Sequence, residues 1–433
     1  MPPMPPQRAK RLLLVLCLLV SLLAIIQGMH RARKGRNALL KWAPVYTALE
    51  RGEAIYNVGE EGYPTPPVTL LLMAPFQAAG PAWGPFWWAL FQVGLAWLVV
   101  LIAWDLVQRG EPPLRPMALG LVLLLCLRML HSEIQHANIN LWVATSLAGA
   151  AWAWRGGRPV LAGMAIGFGA GLKVTPLLGV LLFVRWRSAR GLLGVAAGLL
   201  LALALPALWL GSTRTVELTQ GWARQMLLPY LEGRGLGLRQ TEQINQSLLG
   251  FLGRFLTDGV AIPAEDPWPT HDIRVGLVHL SPAAFQYVHR AALAAVLLVT
   301  WFALGRRART DGTGSAGAFG LIALAMLLAS ERSWKQHHVV LPLAAAFLAA
   351  QWARADRRRA RVAFAGLVWA IVWVLGSGDG VLGRRGADWA EALGAYTWAT
   401  LGLFAAVAWC LAHGAPPVPA RADFGSPEPG TVP

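Results

Sequence analysis

Long apolar runs alternate with short polar interruptions along almost the whole chain. Leu12–Gly28, Trp83–Val107 and Leu192–Leu210 each approach or exceed the length needed to cross a bilayer core at 1.5 Å per residue. Ala291–Leu304, Ala318–Ala329, Val339–Ala350, Val362–Leu375 and Trp398–Leu411 add further runs. Met117–Leu130 and Leu141–Trp154 flank a polar stretch, His131–Asn138, and Val160–Leu172 with Leu177–Val184 predict a hairpin-like pair around Lys173-Val174-Thr175-Pro176. Val68–Ala79 follows the proline cluster Tyr63–Pro67 and is too short to span, which predicts an interfacial or re-entrant helix. No fixed-period repeat is present. The pattern predicts an all-α polytopic membrane protein, a bundle of roughly ten to twelve transmembrane helices. One membrane domain is expected over residues 1–413, with external loops at about 29–66, 131–138, 211–282 and 330–338, followed by a disordered Pro/Gly/Ser-rich tail over 414–433.

Composition supports that class: 56% of the 433 residues are hydrophobic and 14% charged, against about 25% charged in soluble domains. The net charge of +16 comes from arginines in short runs between apolar segments. That is a topology signal and not a nucleic-acid stripe. Arg8/Lys10/Arg11, Arg109/Arg115, Arg155/Arg158, Arg185/Arg187/Arg190, Arg306/Arg307/Arg309 and Arg354–Arg361 can share one face. The positive-inside rule makes that face, and both termini, cytoplasmic in a plasma membrane of bacterial inner-membrane type. The polar loops then collect outside. One of them, 29–66, carries Arg31, Arg33, Lys34, Arg36, Lys41 and Arg51, which fits an anionic lipid phosphate as its partner. Cys17, Cys126 and Cys410 all lie in apolar runs and read as packing residues. The first run has a basic flank but no small-x-small cleavage site, so it is expected to remain as the first helix.

The densest polar interruption is Ser330-Glu331-Arg332-Ser333-Trp334-Lys335-Gln336-His337-His338, between two apolar runs. Each charged group at bilayer depth costs about 2.5–3.5 kcal/mol on insertion scales, so such a cluster belongs in a wet cavity with work to do.

Several motifs occur in order along the chain. They are Tyr63-Pro64-Thr65-Pro66-Pro67; His136-Ala137-Asn138-Ile139-Asn140-Leu141; Arg158-Pro159-Val160-Leu161-Ala162-Gly163; Leu172-Lys173-Val174-Thr175-Pro176; Asn245-Gln246-Ser247; and Ser333-Trp334-Lys335-Gln336-His337-His338. Together they resemble glycosyltransferase family 87, of the C-type (GT-C) superfamily. The resemblance implies a GT-C-like bundle that takes a hexose, often mannose, from a polyprenyl-phosphate sugar on the extracytoplasmic side. A membrane lipid or glycan would be the acceptor. A related glycan ligase or polymerase, or a non-catalytic transporter, is the alternative; a transporter is expected to show paired broken helices in two halves, and only the Lys173–Pro176 break is evident. The chain departs from the family at the start of the first external loop, where an Asp is usual and Arg36-Asn37-Ala38 stands.

Inverting transfer needs a base for the acceptor hydroxyl and donors for the departing phosphate. Candidates at the catalytic positions are Glu133, Glu331 and Asn37, with Glu53 a further carboxylate; Asn37 itself cannot act as a base. Lys173, Lys335, His337, His338 and Arg36 are candidates for the donor phosphate, and Tyr63, Asn138, Asn245, Gln246 and Trp334 for substrate. No metal-ligand spacing occurs and no cofactor is implied. The expected partners are the donor, the acceptor and the bilayer.

Overall fold

Prolines set many of the helix starts. Pro67, Pro116, Pro159, Pro282 and Pro342 each stand at a first helical position, where the missing N–H is no loss and the ring's φ already suits a helix. The computed structural model describes residues 6–56, 63–231, 240–265, 267–305 and 312–414, with side chains from Leu14 onward apart from 230 and 231. In chain order the main helices are α1 (Pro6–Arg33), α2 (Pro67–Ala78), α3 (Gly80–Gln108), α4 (Pro116–His136), α5 (Asn140–Arg155), α6 (Pro159–Leu172), α7 (Val180–Arg185) and α8 (Ala189–Ala204). They continue as α9 (Ser212–Trp222), α10 (Leu248–Leu256), α11 (Pro282–Ala303), α12 (Gly312–Ala329), α13 (Pro342–Arg354), α14 (Arg357–Gly376), α15 (Asp379–Ala392) and α16 (Ala395–Ala412). Among the described residues the sole β pairing is an isolated bridge, Ile262 to Ile273. Eight helices among the described residues are long and apolar enough to cross a membrane, and Pro67–Ala78, Pro159–Leu172 and Thr175–Arg185 are shorter apolar helices. The protein is a polytopic helical membrane protein, as its sequence pattern predicts.

Several segments expected as loops are helical. α4 continues past Leu130 to His136, so His131–His136 form its last turns, and Ala137 stops it in the left-handed region at φ 57°, ψ 34°. α1 likewise runs to Arg33, and Ala38–Lys41 and Ala43–Glu50 are short helices within the expected first loop. α9, α10 and α15 also lie where the apolar pattern predicts none.

α12 and α13 form the buried centre, with almost every apolar side chain out of contact with solvent. They run antiparallel: Gly317 closes on Phe347, and Gly320 on Ala344. At one end, arginines finish the helices. Arg155 donates from Nη1 to the carbonyls of Asp105 (3.2 Å) and Leu106 (2.5 Å), and Arg354 Nη1 to that of Val107 (2.6 Å). Arg185 Nε donates to the Trp301 carbonyl (3.1 Å). These are helix C-termini, whose last carbonyls lack intrahelical partners and carry partial negative charge. The arginine clusters at 109, 155, 185 and 354 thus gather at one end; Arg306, Arg307 and Arg309 lie outside the described residues.

α6 and α8 pack in parallel along small residues. An added Cβ at Gly163 would lie 2.0 Å from the Gly191 carbonyl oxygen, at Gly167 2.0 Å from that of Val195, and at Gly198 2.1 Å from that of Met164. Close backbone approach of this kind holds helices together where lipid offers no hydrophobic drive. Gly167→Leu should therefore cost at least the 1–3 kcal/mol typical of overpacking, about that or more, read as a lowered unfolding temperature in detergent. Gly149→Leu, where nothing lies within 4 Å of the added Cβ, should leave that temperature nearly unchanged.

Candidate active site

The turn joining α12 to α13, Ser330–Leu341, lies at the end of the bundle away from the arginine caps. Lys335–Val340 makes a 3₁₀ turn there, and the main chain before it is clamped from outside the helices. Asn245 Oδ1 accepts the Ser333 amide (3.0 Å) and Asn245 Nδ2 donates to the carbonyls of Glu331 (2.9 Å) and Gln240 (2.8 Å). The Gln246 amide donates to the Ser333 carbonyl (2.7 Å), its Nε2 to the Glu391 carbonyl (2.7 Å), and its Oε1 accepts the Tyr396 amide (3.1 Å). Arg254, fully buried, reaches the carbonyls of Asn245 (2.7 Å) and Ala392 (2.8 Å). Asn245 and Gln246 therefore spend their side chains on main chain, joining the turn to the segment before α16.

Inside that clamp, charge runs through contacting side chains. Glu133 is fully buried; Oε1 accepts the Asn140 amide (2.8 Å) and Oε2 accepts Asn140 Nδ2 (2.9 Å). Asn140 Oδ1 in turn accepts Lys173 Nζ (3.2 Å), and Nζ lies 2.8 Å from His337 Nε2. The Trp334 amide donates to His337 Nδ1 (3.1 Å). A neutral imidazole has one acceptor nitrogen, so this ring has a donor too many around it, and an anionic oxygen beside Nζ and Nε2 would relieve the excess. Burial first, and the Lys173 charge next, hold the His337 imidazole well below its usual pKa. Asn140, Lys173, Thr175, Ser330, Ser333 and His337 line a narrow cavity with apolar residues of α12.

Beside it, Arg31 at the end of α1 donates to His136 Nε2 (3.2 Å), and His136 Nδ1 donates to the Ser132 carbonyl (2.7 Å), which fixes the tautomer. Lys335 carries a charge felt at His136, and no described residue makes a hydrogen bond or ion pair with its ammonium. Three cations, Arg31, Lys173 and Lys335, so border one region.

Other sequence candidates lie elsewhere. His338 Nδ1 is 3.1 Å from the Trp334 carbonyl and Nε2 3.1 Å from Thr400 Oγ1, with the ring 1% exposed. Arg36 is exposed, and Asn37 caps Ala38–Lys41 by accepting the Leu40 amide (2.9 Å). Tyr63 is buried with its hydroxyl on Thr69 Oγ1 (2.7 Å). The Asn138 carbonyl accepts Gln92 Nε2, Glu331 accepts Gln240 Nε2 (3.1 Å), and Trp334 stacks on His337 at 6.1 Å. Asn140 and Arg128 are not candidates in the sequence, whereas Arg31 stands there among the basic residues of the first loop and His136 opens a motif. Asn140 lies inside the motif His136–Leu141, and Arg128 is the lone charge in the apolar run Met117–Leu130.

No functionally curated protein matches the chain. Among solved structures, ArnT from Cupriavidus metallidurans bound to undecaprenyl phosphate is a distant likeness, at 14% identity over 92% of this chain and 77% of that one, with a TM-score of 0.37. The profile of glycosyltransferase family 87 matches residues 63–292, just over half of the sequence, from the buried Tyr63 through Asn140 and Lys173 to the Asn245–Ser247 clamp. The chain belongs to glycosyltransferase family 87.

Proposed function

We propose that this glycosyltransferase moves a hexose, with mannose the first candidate, from a polyprenyl-phosphate sugar to a lipid or glycan acceptor on the extracytoplasmic face of the plasma membrane. The observation that carries the reading is the Lys173–His337 pair, flanked by Arg31 and Lys335, at the end of a membrane bundle. A departing polyprenyl phosphate gains negative charge as the glycosidic bond breaks, and preorganised cations are what that moment needs. Lys supplies a point charge and a neutral imidazole a directional donor. In this reading Glu133, with both oxygens engaged by Asn140, positions Lys173 through Asn140.

The arginine-capped end supports a cytoplasmic assignment for that end and an external one for the cavity. Cysteine placed at the exposed Asp258 should react with a membrane-impermeant maleimide in intact cells; reaction only after permeabilisation would reverse the orientation.

Membranes containing the protein, given radiolabelled polyprenyl-phosphate mannose, should pass label to a lipid or glycan product. Lys173→Ala should reduce that transfer by about 10²–10³. Full activity in a normally accumulating variant would remove Lys173 from the phosphate site. Glu133→Gln should lower stability by about 1.5–3 kcal/mol, the worth of a hydrogen bond to a charged group, seen as an earlier thermal transition in detergent.

A further inference from the structure

Arg128 lies eight residues before His136, about 12 Å down α4 from the polar end. A charge that deep marks a functional site once its surroundings are identified. Arg128 Nη1 donates to the Val374 carbonyl and to Ser377 Oγ (3.2 Å), and its guanidinium lies 5.6 Å from the Tyr396 ring centroid. Tyr396 is fully buried, with Ser377 beside its hydroxyl. Next to this group stands Glu391, near the end of α15. It is 7% exposed, its main-chain carbonyl is held by Gln246, and its carboxylate accepts no hydrogen bond from any described residue.

Of the other carboxylates, Asp379 and Asp388 on the same helix are more exposed than Glu391, and the two on the phosphate side are engaged. Both Glu133 oxygens hold Asn140, and Glu331 holds Gln240. Gln246 joins the two regions, its amide holding the carbonyl of Ser333, which lines the cavity, and its Nε2 the Glu391 carbonyl. Lys335 follows Ser333 by two residues and acts electrostatically on His136 and on Glu391. A nucleophile resting on Glu391 would thus face a sugar whose phosphate lies by Lys335 and Lys173.

We propose that Glu391 takes the proton of the acceptor hydroxyl, and that Glu391, Arg128, Tyr396 and Lys335 together bind a hydroxyl-rich acceptor. The inference rests on the donor chemistry proposed above. The acceptor O–H proton passes to the Glu391 carboxylate as the oxygen bonds to the anomeric carbon. The bond from that carbon to the phosphate oxygen breaks, and the polyprenyl phosphate leaves as the monoester dianion. Carboxylate, arginine and an aromatic hydroxyl are groups suited to binding sugar hydroxyls. The groups facing Glu391 are Lys335 from the turn, Arg128 from α4, Arg254 from α10, Tyr396 from α16, and Asp379 and Asp388 from its own helix. Burial raises its carboxyl pKa above the ordinary value, while Lys335 and then Arg128 pull it down; a raised carboxylate is the better base.

The full chain in phospholipid vesicles, given tritiated polyprenyl-phosphate mannose, can be followed for donor retention, for mannose released to water and for label in lipid products. Glu391→Gln should retain donor as the native chain does and lose roughly 10²–10⁴ in both reactions. Glu391→Ala should regain part of its rate with added formate, which a purely structural role would not allow. If the native chain consumes donor and Glu391→Gln does so equally fast, the base assignment is overturned and the donor reading stands. If Glu391→Gln loses donor retention and formate restores nothing to Glu391→Ala, Glu391 serves folding or binding and the assignment is again overturned. If the native chain neither retains nor consumes donor, the function proposed above falls first and this inference with it.

Discussion

Glu133 has no access to water, and the cost of burying that carboxylate organises the centre of the molecule. An isolated charge in a low-dielectric interior is untenable unless its lone pairs are met and a countercharge lies near. Asn140 meets them with two donors from one residue, its amide and its side chain, which fixes the turn from α4 into α5. The same Asn140 then holds Lys173, the first residue after α6, so the countercharge comes from a third helix. Three helix ends are locked together by one buried charge, and the cation at the end of that chain faces the cavity.

A second set of contacts works on main chain. Asn245, Gln246 and Arg254 hold the Ser330–Ser333 segment and the start of α16 by hydrogen bonds to backbone groups. The turn between α12 and α13 needs this support because those helices are buried almost throughout and leave no exposed face on which to anchor a loop. Motif residues that read as sugar contacts in the sequence are therefore spent on shape. In the proposed function they act through His337 and Lys335, which the turn presents.

The membrane class, the shorter helices and the nearness of Lys173 to the 330–338 turn are legible in the sequence because each rests on a local signal. Apolar run length gave the spans. Arginine runs mark the end at which α3, α5 and α13 finish, and Lys173 at the tip of an apolar hairpin is a donor-phosphate candidate in the sequence that the fold sets beside His337. The length of α4 was not legible, because His131, Glu133 and His136 look like a loop until their partners on other helices are known. Nor was the detail of which carboxylate is engaged. Glu133 and Glu331 stand out in the sequence by their neighbours along the chain, yet Asn140 and Gln240 decide their state.

α15 shows the limit from the other side. It is a short, polar, kinked helix, with Gly383 at φ 66° inside it, and no apolar period announces it. In the acceptor reading its place comes from the charges near Glu391, Lys335 in the turn and Arg128 on α4, with Arg128 in turn 5.6 Å from the Tyr396 ring on α16. Arg128 alone would be an unexplained charge in a spanning helix, and Glu391 alone an unexplained buried acid. Placed together, with Lys335 between them and the phosphate side, each accounts for the other's position. The family profile ends at residue 292, so it covers Arg128 on α4 and leaves Lys335, Glu391 and Tyr396 outside the part that identifies the family.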